Sequence, residues 1–463
     1  MIRLFKNATI VTVDAKRRVL FGEDLLIEGD HIVAVGGISP QQAASATEVI
    51  DCGGRVLFPG FINTHTHLFQ NLLKGLGDDM ALTDWLCTMT FPAASYLQPE
   101  DTYVAAMLGC MEGLRSGITT TVDYMYPHPV EGLSDGIAQA YAKLRVRGIL
   151  GRGCMDAGEE LGVCPEIMQT PAQVERDLVR LFDRYHNTEN GRIRIWAAPA
   201  ALWSTTGALL TRLWEIVNHY HAGFTVHVCE TVSDREFTEK QHGCASTDCL
   251  QKLGILGPNV LMVHCVYLNE LDIARSAEYD LKVSHNAVSN MYLSSGVAPI
   301  PAMLRAGVTV GLGVDGAASN NGQDMLELMK TTALLQKVHT CNPTVISAEK
   351  VLEMATIDGA RALGMQDEIG SLEPGKKADI VLFDPQASPK AIPLHNPVST
   401  LVYSSTMQNI QSVLVDGEFV LRDGAICAVA DERAFLQRAQ QTADALAARA
   451  GISNRGAGHV WQA

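Results

Sequence analysis

The chain has 463 residues, 47% of them hydrophobic and 19% charged, with a net charge of −15. That length and composition fit a large folded unit with a substantial core and exclude wholesale disorder. The acidic balance, with no run of Lys or Arg against it, argues against a nucleic-acid partner.

Residues 1–55 are strand-like: Arg3–Val13, Asp24–Glu28, His31–Gly36 and Glu48–Ile50, separated by turn signals such as Gly53-Gly54. They read as part of a small β-domain. From residue 56 the rhythm changes. Strand candidates Phe61–Thr66, Ile118–Asp123, Arg147–Cys154, Arg192–Ala198, Phe224–Val228, Val260–Cys265, Lys282–His285 and Val308–Val314 alternate with helical stretches such as Glu100–Ser116, Val130–Arg145, Pro171–Tyr185, Gly207–His221 and Pro299–Ala306. This α/β pattern predicts a (β/α)8 barrel over 56–370. A doubly wound sheet is the alternative, weakened because no G-x-G-x-x-G follows the first strand.

Residues 371–425 return to a β rhythm, with strands expected at Asp379–Phe383, Thr400–Val402, Ser412–Val415 and Glu418–Leu421, and a D-G hairpin turn at Asp416-Gly417. The two end segments are expected to pair into one small β-sandwich. Residues 426–463 read as a helical tail. No stretch reaches membrane-spanning length, and the N-terminus lacks a signal peptide's apolar core. The eleven cysteines are scattered with no C-x-x-C. Together these predict a cytoplasmic protein with free thiols and no membrane partner.

Barrel enzymes build their sites at the C-terminal ends of the strands. Those ends carry His65 and His67, then His227 with Glu230, then His264, His285 and Asp315. Side chains two apart on a strand share a face, so His65 and His67 can converge on one point. Taken singly, His227 and His285 read as hydrogen-bonded core histidines, and Asp315, followed by Gly316, as a turn former. Jointly, His65, His67, His227 and Asp315 make a three-nitrogen, one-oxygen set that leaves room for water on a metal. Core packing alone would favour aliphatic residues at these positions.

The segments PGFINTHTH (59–67), HVCE (227–230), HC (264–265), SHNAVSN (284–290), GVDGAASNN (313–321), MATIDGARALG (354–364) and GSLEPGKKADIVLFD (370–384) resemble the amidohydrolase superfamily, in its branch of heterocycle deaminases and s-triazine hydrolases. The resemblance covers nearly the whole chain. It implies a single zinc or ferrous ion on His65, His67, His227 and Asp315. It also implies that Glu230 moves protons to a ring nitrogen and that His264 orients the attacking water. Asp315 would pass a second proton to the leaving amine. A carboxylate beside an activated water is chemically suited to that work. Two-metal relatives need a lysine at the end of strand four, and Ile195–Ala201 has none.

Gln70, Trp85, Arg152 and Trp203 are the substrate-facing candidates. The implied activity is hydrolytic deamination of an amino-substituted N-heterocycle, with triazine hydrolysis and nucleoside deamination as alternatives. The adenosine and S-adenosylhomocysteine deaminases hold ribose with a Glu and a His. Ala94 and Ala200 stand at the matching positions, which predicts a free base as substrate. A small-molecule heterocycle is the expected partner, and a dimer or larger homo-oligomer the expected assembly. A non-catalytic scaffold on the same fold would be expected to have lost these ligands.

Overall fold

The computed structural model describes residues 1–452. Eight parallel strands follow one another around a barrel in chain order: Phe61–Thr66, Ile118–Met125, Arg147–Cys154, Ile193–Pro199, Phe224–Val228, Val260–His264, Lys282–His285 and Val310–Leu312. Most are buried along their whole length. That is the pattern of strands covered on one face by helices and on the other by the barrel interior. Across the seam between the last strand and the first, the Val314 N–H donates to Asn63 Oδ1 at 3.0 Å.

The second unit is a nine-stranded mixed sheet drawn from both ends of the chain. Its centre is the antiparallel pairing of Val56–Pro59 with Ile380–Phe383, flanked by Ile2–Val11 on one side and Ile410–Val415 on the other. The sheet thus takes in Val56–Pro59, just beyond the 1–55 segment. It has its own core, including Phe5, Ile10, Leu25, Leu57, Leu382 and Leu414. The expected D-G turn joins Val415 to Glu418, with Asp416 at φ 49° and Gly417 at φ 73°. Two positive φ values are what a type I′ turn requires.

That turn also docks the sheet to the barrel. Arg147, at the start of strand three and 1% exposed, donates to both Asp379 carboxylate oxygens at 3.1 Å and to Asp416. Arg192 Nη1 reaches Asp416 Oδ2 at 3.2 Å.

One expected strand is a helix. Thr400–Val402 lies inside Pro397–Ser404. Its β-branched residues favour a strand locally. The helix wins because Asn396 Oδ1 accepts from the Val398 and Ser399 N–H groups, each at 3.0 Å, and Pro397 occupies the first helical position. The tail forms the helix Glu432–Arg449, capped by Asp431. The part of the predicted tail at 453–463 lies outside the described residues. All eleven cysteines are free, and no described helix is long and apolar enough to cross a membrane.

A candidate metal centre at the mouth of the barrel

The predicted ligands meet at the C-terminal end of the barrel. His65 is on strand one and His67 just beyond it, with ring centroids 4.7 Å apart. His227, on strand five, brings its ring to 4.9 Å from His65 and 5.3 Å from His67. Asp315 follows strand eight in a left-handed conformation, φ 68°, a region that Asp tolerates better than most residues. Its Oδ1 lies 3.2 Å from His65 Nε2 and 3.6 Å from His67 Nε2.

The donor set fits a divalent ion. Both His65 ring nitrogens are buried without a hydrogen-bond partner. An unsatisfied buried imidazole is costly, and a metal accounts for it. His67 Nδ1 donates to the Tyr124 carbonyl at 2.7 Å, and His227 Nδ1 donates to that of Ala200. Those bonds fix the tautomers and leave each Nε2 lone pair free to face the cluster. Burial holds His65, His67 and His227 below the usual histidine range, His67 at about 3, so the imidazoles are neutral as ligands must be. Burial disfavours the Asp315 anion, but the close approach of the His65 ring outweighs it and keeps the carboxyl well below its usual range.

Glu230 and His264 complete the centre. His264 ends strand six at φ 67°, and its Nδ1 donates to Asn290 Oδ1 at 2.9 Å. Its Nε2 lies 3.5 Å from Glu230 Oε2 and 3.7 Å from Asp315 Oδ2. It is also close enough to His65 and His227 to add a further nitrogen donor. Burial opposes charge on His264, yet the carboxylates of Glu230 and Asp315 raise its pKa. Burial raises Glu230 as well, and Ser295 Oγ donates to its Oε1 at 3.2 Å.

These groups form the floor of a cavity at the mouth of the barrel. Gln70, Trp85 and Trp203 line it, with Leu86, Phe91, Met155 and Leu293 making much of the remaining wall apolar. Trp85 is fixed by its indole N–H donating to the Ala318 carbonyl at 3.1 Å. Gln70 Oε1 is buried without a hydrogen-bond partner, and a Cβ on residue 316 would overlap it, so Gly316 keeps that space open.

Arg152 is not among the described residues lining this cavity. Its Nε donates to Asp177 Oδ2 at 3.0 Å and its Nη1 to the Gly153 carbonyl at 2.6 Å. A side chain at that point of strand three leaves the barrel interior and meets the following helix instead. His285 is also buried away from the lining, with both ring nitrogens unpartnered. Ala200 is on the cavity wall, whereas Ala94 is fully buried elsewhere.

Several residues around the centre were not anticipated. Tyr124 braces the ring of His227, with centroids 4.6 Å apart, and Tyr126 packs edge-on against His67 at 5.1 Å. Their i, i+2 spacing at the end of strand two is the signal that singled out His65 and His67 on strand one. Asp234, another lining residue, sits in the first turn of a helix and left no comparable mark.

The match to known proteins runs along nearly the whole chain. Residues 56–420 match the model of the Amidohydrolase family. The chain is 36% identical to 5'-deoxyadenosine deaminase of Methanosarcina mazei, covering 96% of this chain and 98% of that protein. It is also 36% identical to 5-methylthioadenosine/S-adenosylhomocysteine deaminase of Syntrophomonas wolfei, covering 95% and 98%. Among solved structures, an adenosine deaminase from Xanthomonas campestris with bound zinc superposes with a TM-score of 0.89 at 28% identity, over 96% of this chain and 98% of that one. Atrazine chlorohydrolase from Arthrobacter aurescens, complexed with zinc, gives 0.89 at 26%, over 95% and 100%. The chain therefore belongs to the amidohydrolase family of hydrolases acting on carbon–nitrogen bonds.

Proposed function

We propose that the protein is a metal-dependent hydrolytic deaminase of an amino-substituted N-heterocycle, with one zinc ion per chain and iron as the alternative metal. The observation that carries this reading is the neutral three-histidine, one-aspartate cluster facing Glu230 and His264 on the floor of a largely apolar cavity. The zinc assignment draws on the zinc-bound neighbours. A divalent ion held by His65, His67, His227 and Asp315 would supply Lewis acidity and a water acidic enough to react near neutral pH.

The chain's own groups handle the protons. Glu230, buried and therefore basic for a carboxylate, takes a proton from the attacking water and gives it to the ring nitrogen. Protonation makes the adjacent ring carbon electrophilic. His264, held by Asn290, orients the water. Asp315 Oδ2, facing His264, takes the second proton and delivers it to the leaving amine, which departs as ammonia.

We read the substrate as a free heterocycle, with an s-triazine as the runner-up. Ala200 lends the cavity wall no side-chain group for a ribose hydroxyl, and Ala94 lends none from its buried position. An unpaired buried hydroxyl costs roughly 1–3 kcal/mol. The competing reading, an adenosine-type nucleoside, is favoured by the names of the relatives at 36% identity. Ammonia release from aminated purines, pterins, pyrimidines and triazines, set against adenosine, 5'-deoxyadenosine, methylthioadenosine and S-adenosylhomocysteine, tests both. A higher kcat/KM for a free ring supports the first reading, and a nucleoside preference replaces it with the second. We expect the enzyme to work as a cytoplasmic homo-oligomer.

A further inference from the structure

Glu230 enters the cavity from a strained piece of backbone. Strand five ends at Val228, and Cys229 then turns through φ 51°. A non-glycine residue in that region persists only when its surroundings hold it there. The helix Val232–His242 begins almost at once, capped by Thr231. Asp234 lies in its first turn. The Glu230 N–H donates to Asp234 Oδ2 at 3.0 Å, and the Asp234 N–H donates to Thr231 Oγ1 at 3.1 Å. The segment from the strained turn to the helix is thus closed by two bonds that both involve Asp234.

An acid in a first helical turn ordinarily sits in solvent, where it complements the helix dipole. Asp234 is instead 6% exposed and lines the same cavity as Glu230. Burial pushes its carboxyl up to about 7. Burying such a group is costly unless it is well bonded. The deamination chemistry leaves it without a proton to carry. Ser295 holds the Glu230 side chain, and Asp234 holds the Glu230 backbone.

We propose that Asp234 is a positioning residue: its carboxylate clamps the Cys229–Glu230 turn and so keeps Glu230 facing His264 and the ligand cluster. This rests on the reading of Glu230 as the proton carrier. A misplacement of about 1 Å in a catalytic group can cost about 100-fold in rate.

The test uses the metal-loaded full chain and whichever compound of the panel above releases ammonia fastest. Wild type, Asp234→Ala, Asp234→Asn, Glu230→Gln and the Asp234→Ala/Glu230→Gln double variant are compared. Asp234→Ala is expected to lower kcat roughly 10- to 100-fold, with metal content retained and KM little changed. Asp234→Asn keeps an acceptor for the Glu230 N–H and should recover most of the loss. On the Glu230→Gln background, Asp234→Ala should add almost nothing, because a group acting only through Glu230 has nothing left to act on.

Multiplicative losses in the double variant would overturn the proposal. So would a raised KM at unchanged kcat, which would make Asp234 a substrate contact. An Asp234→Asn variant as impaired as Asp234→Ala would also sink it. Near-normal turnover by Glu230→Gln alone would remove the underlying proton role, an outcome read separately from the others.

Discussion

Asp315 meets His65 at two points. Its backbone N–H donates to the His65 carbonyl at 2.9 Å, and its Oδ1 lies 3.2 Å from His65 Nε2. The bond that helps draw the last strand against the first therefore also brings together two of the proposed ligands. Thr66 Oγ1 and Gln323 Nε2 both donate to the Asp315 carbonyl, at 2.8 and 3.1 Å, and hold its left-handed backbone.

Replacing Asp315 by Ala should consequently remove the metal and the activity together. Loss of a group that merely orients a ligand typically costs 10- to 100-fold in metal affinity, and loss of a ligand should exceed about 100-fold. Equilibrium dialysis against a competing chelator measures it. Affinity within a few-fold of wild type would show that Asp315 is not a ligand.

Glu230→Gln separates binding from chemistry. Glu230 contacts His264 and Ser295. The variant should keep its metal while kcat falls by about 10²–10⁴, the usual contribution of a general acid–base group. Normal metal content with normal turnover would pass the proton role to His264.

Gly316→Ala probes Gln70. The added methyl would overlap Gln70 Oε1 and push the carboxamide from its place on the cavity wall. Because the obstacle is the far end of a side chain, the fold should survive. KM is expected to rise several-fold with kcat less affected. An unchanged KM for every substrate tested would remove Gln70 from substrate recognition.

Arg147→Met tests how the two units are joined. Arg147 is buried between Asp379 and Asp416, and truncating it leaves two buried carboxylates short of a partner. Breaking a buried pair this way costs roughly 3–5 kcal/mol. A clear drop in Tm is expected, with metal content retained below the transition. A Tm equal to wild type would show that the ion pairs are not what docks the sheet.

Much of this architecture was legible in the sequence because barrel strands are short, β-branched and regularly spaced, and because ligands must stand at strand ends. His65, His67, His227 and Asp315 stood out through their types and positions. Thr400–Val402 misled because its β-branching points to a strand, while Asn396 and Pro397 start a helix just before it. Arg152 lies near the end of a strand, as a site residue does, but its guanidinium is turned toward Asp177. Alternation along a strand decides which face a side chain takes, and a slip of one residue reverses it. Asp234 was invisible because its role depends on a hydrogen bond to a backbone N–H, which no residue pattern announces.

A single catalytic metal in a deaminating hydrolase underlies the roles proposed for these residues. The most direct measurement is metal content by elemental analysis alongside ammonia release, before and after exhaustive chelation and on stepwise return of zinc or ferrous ion. About one equivalent of metal per chain is expected from four proposed ligands with no strand-four lysine beside them. Activity should be lost on removal and restored in proportion up to one equivalent. Two tightly bound ions in the active enzyme, or full activity after chelation, would contradict it.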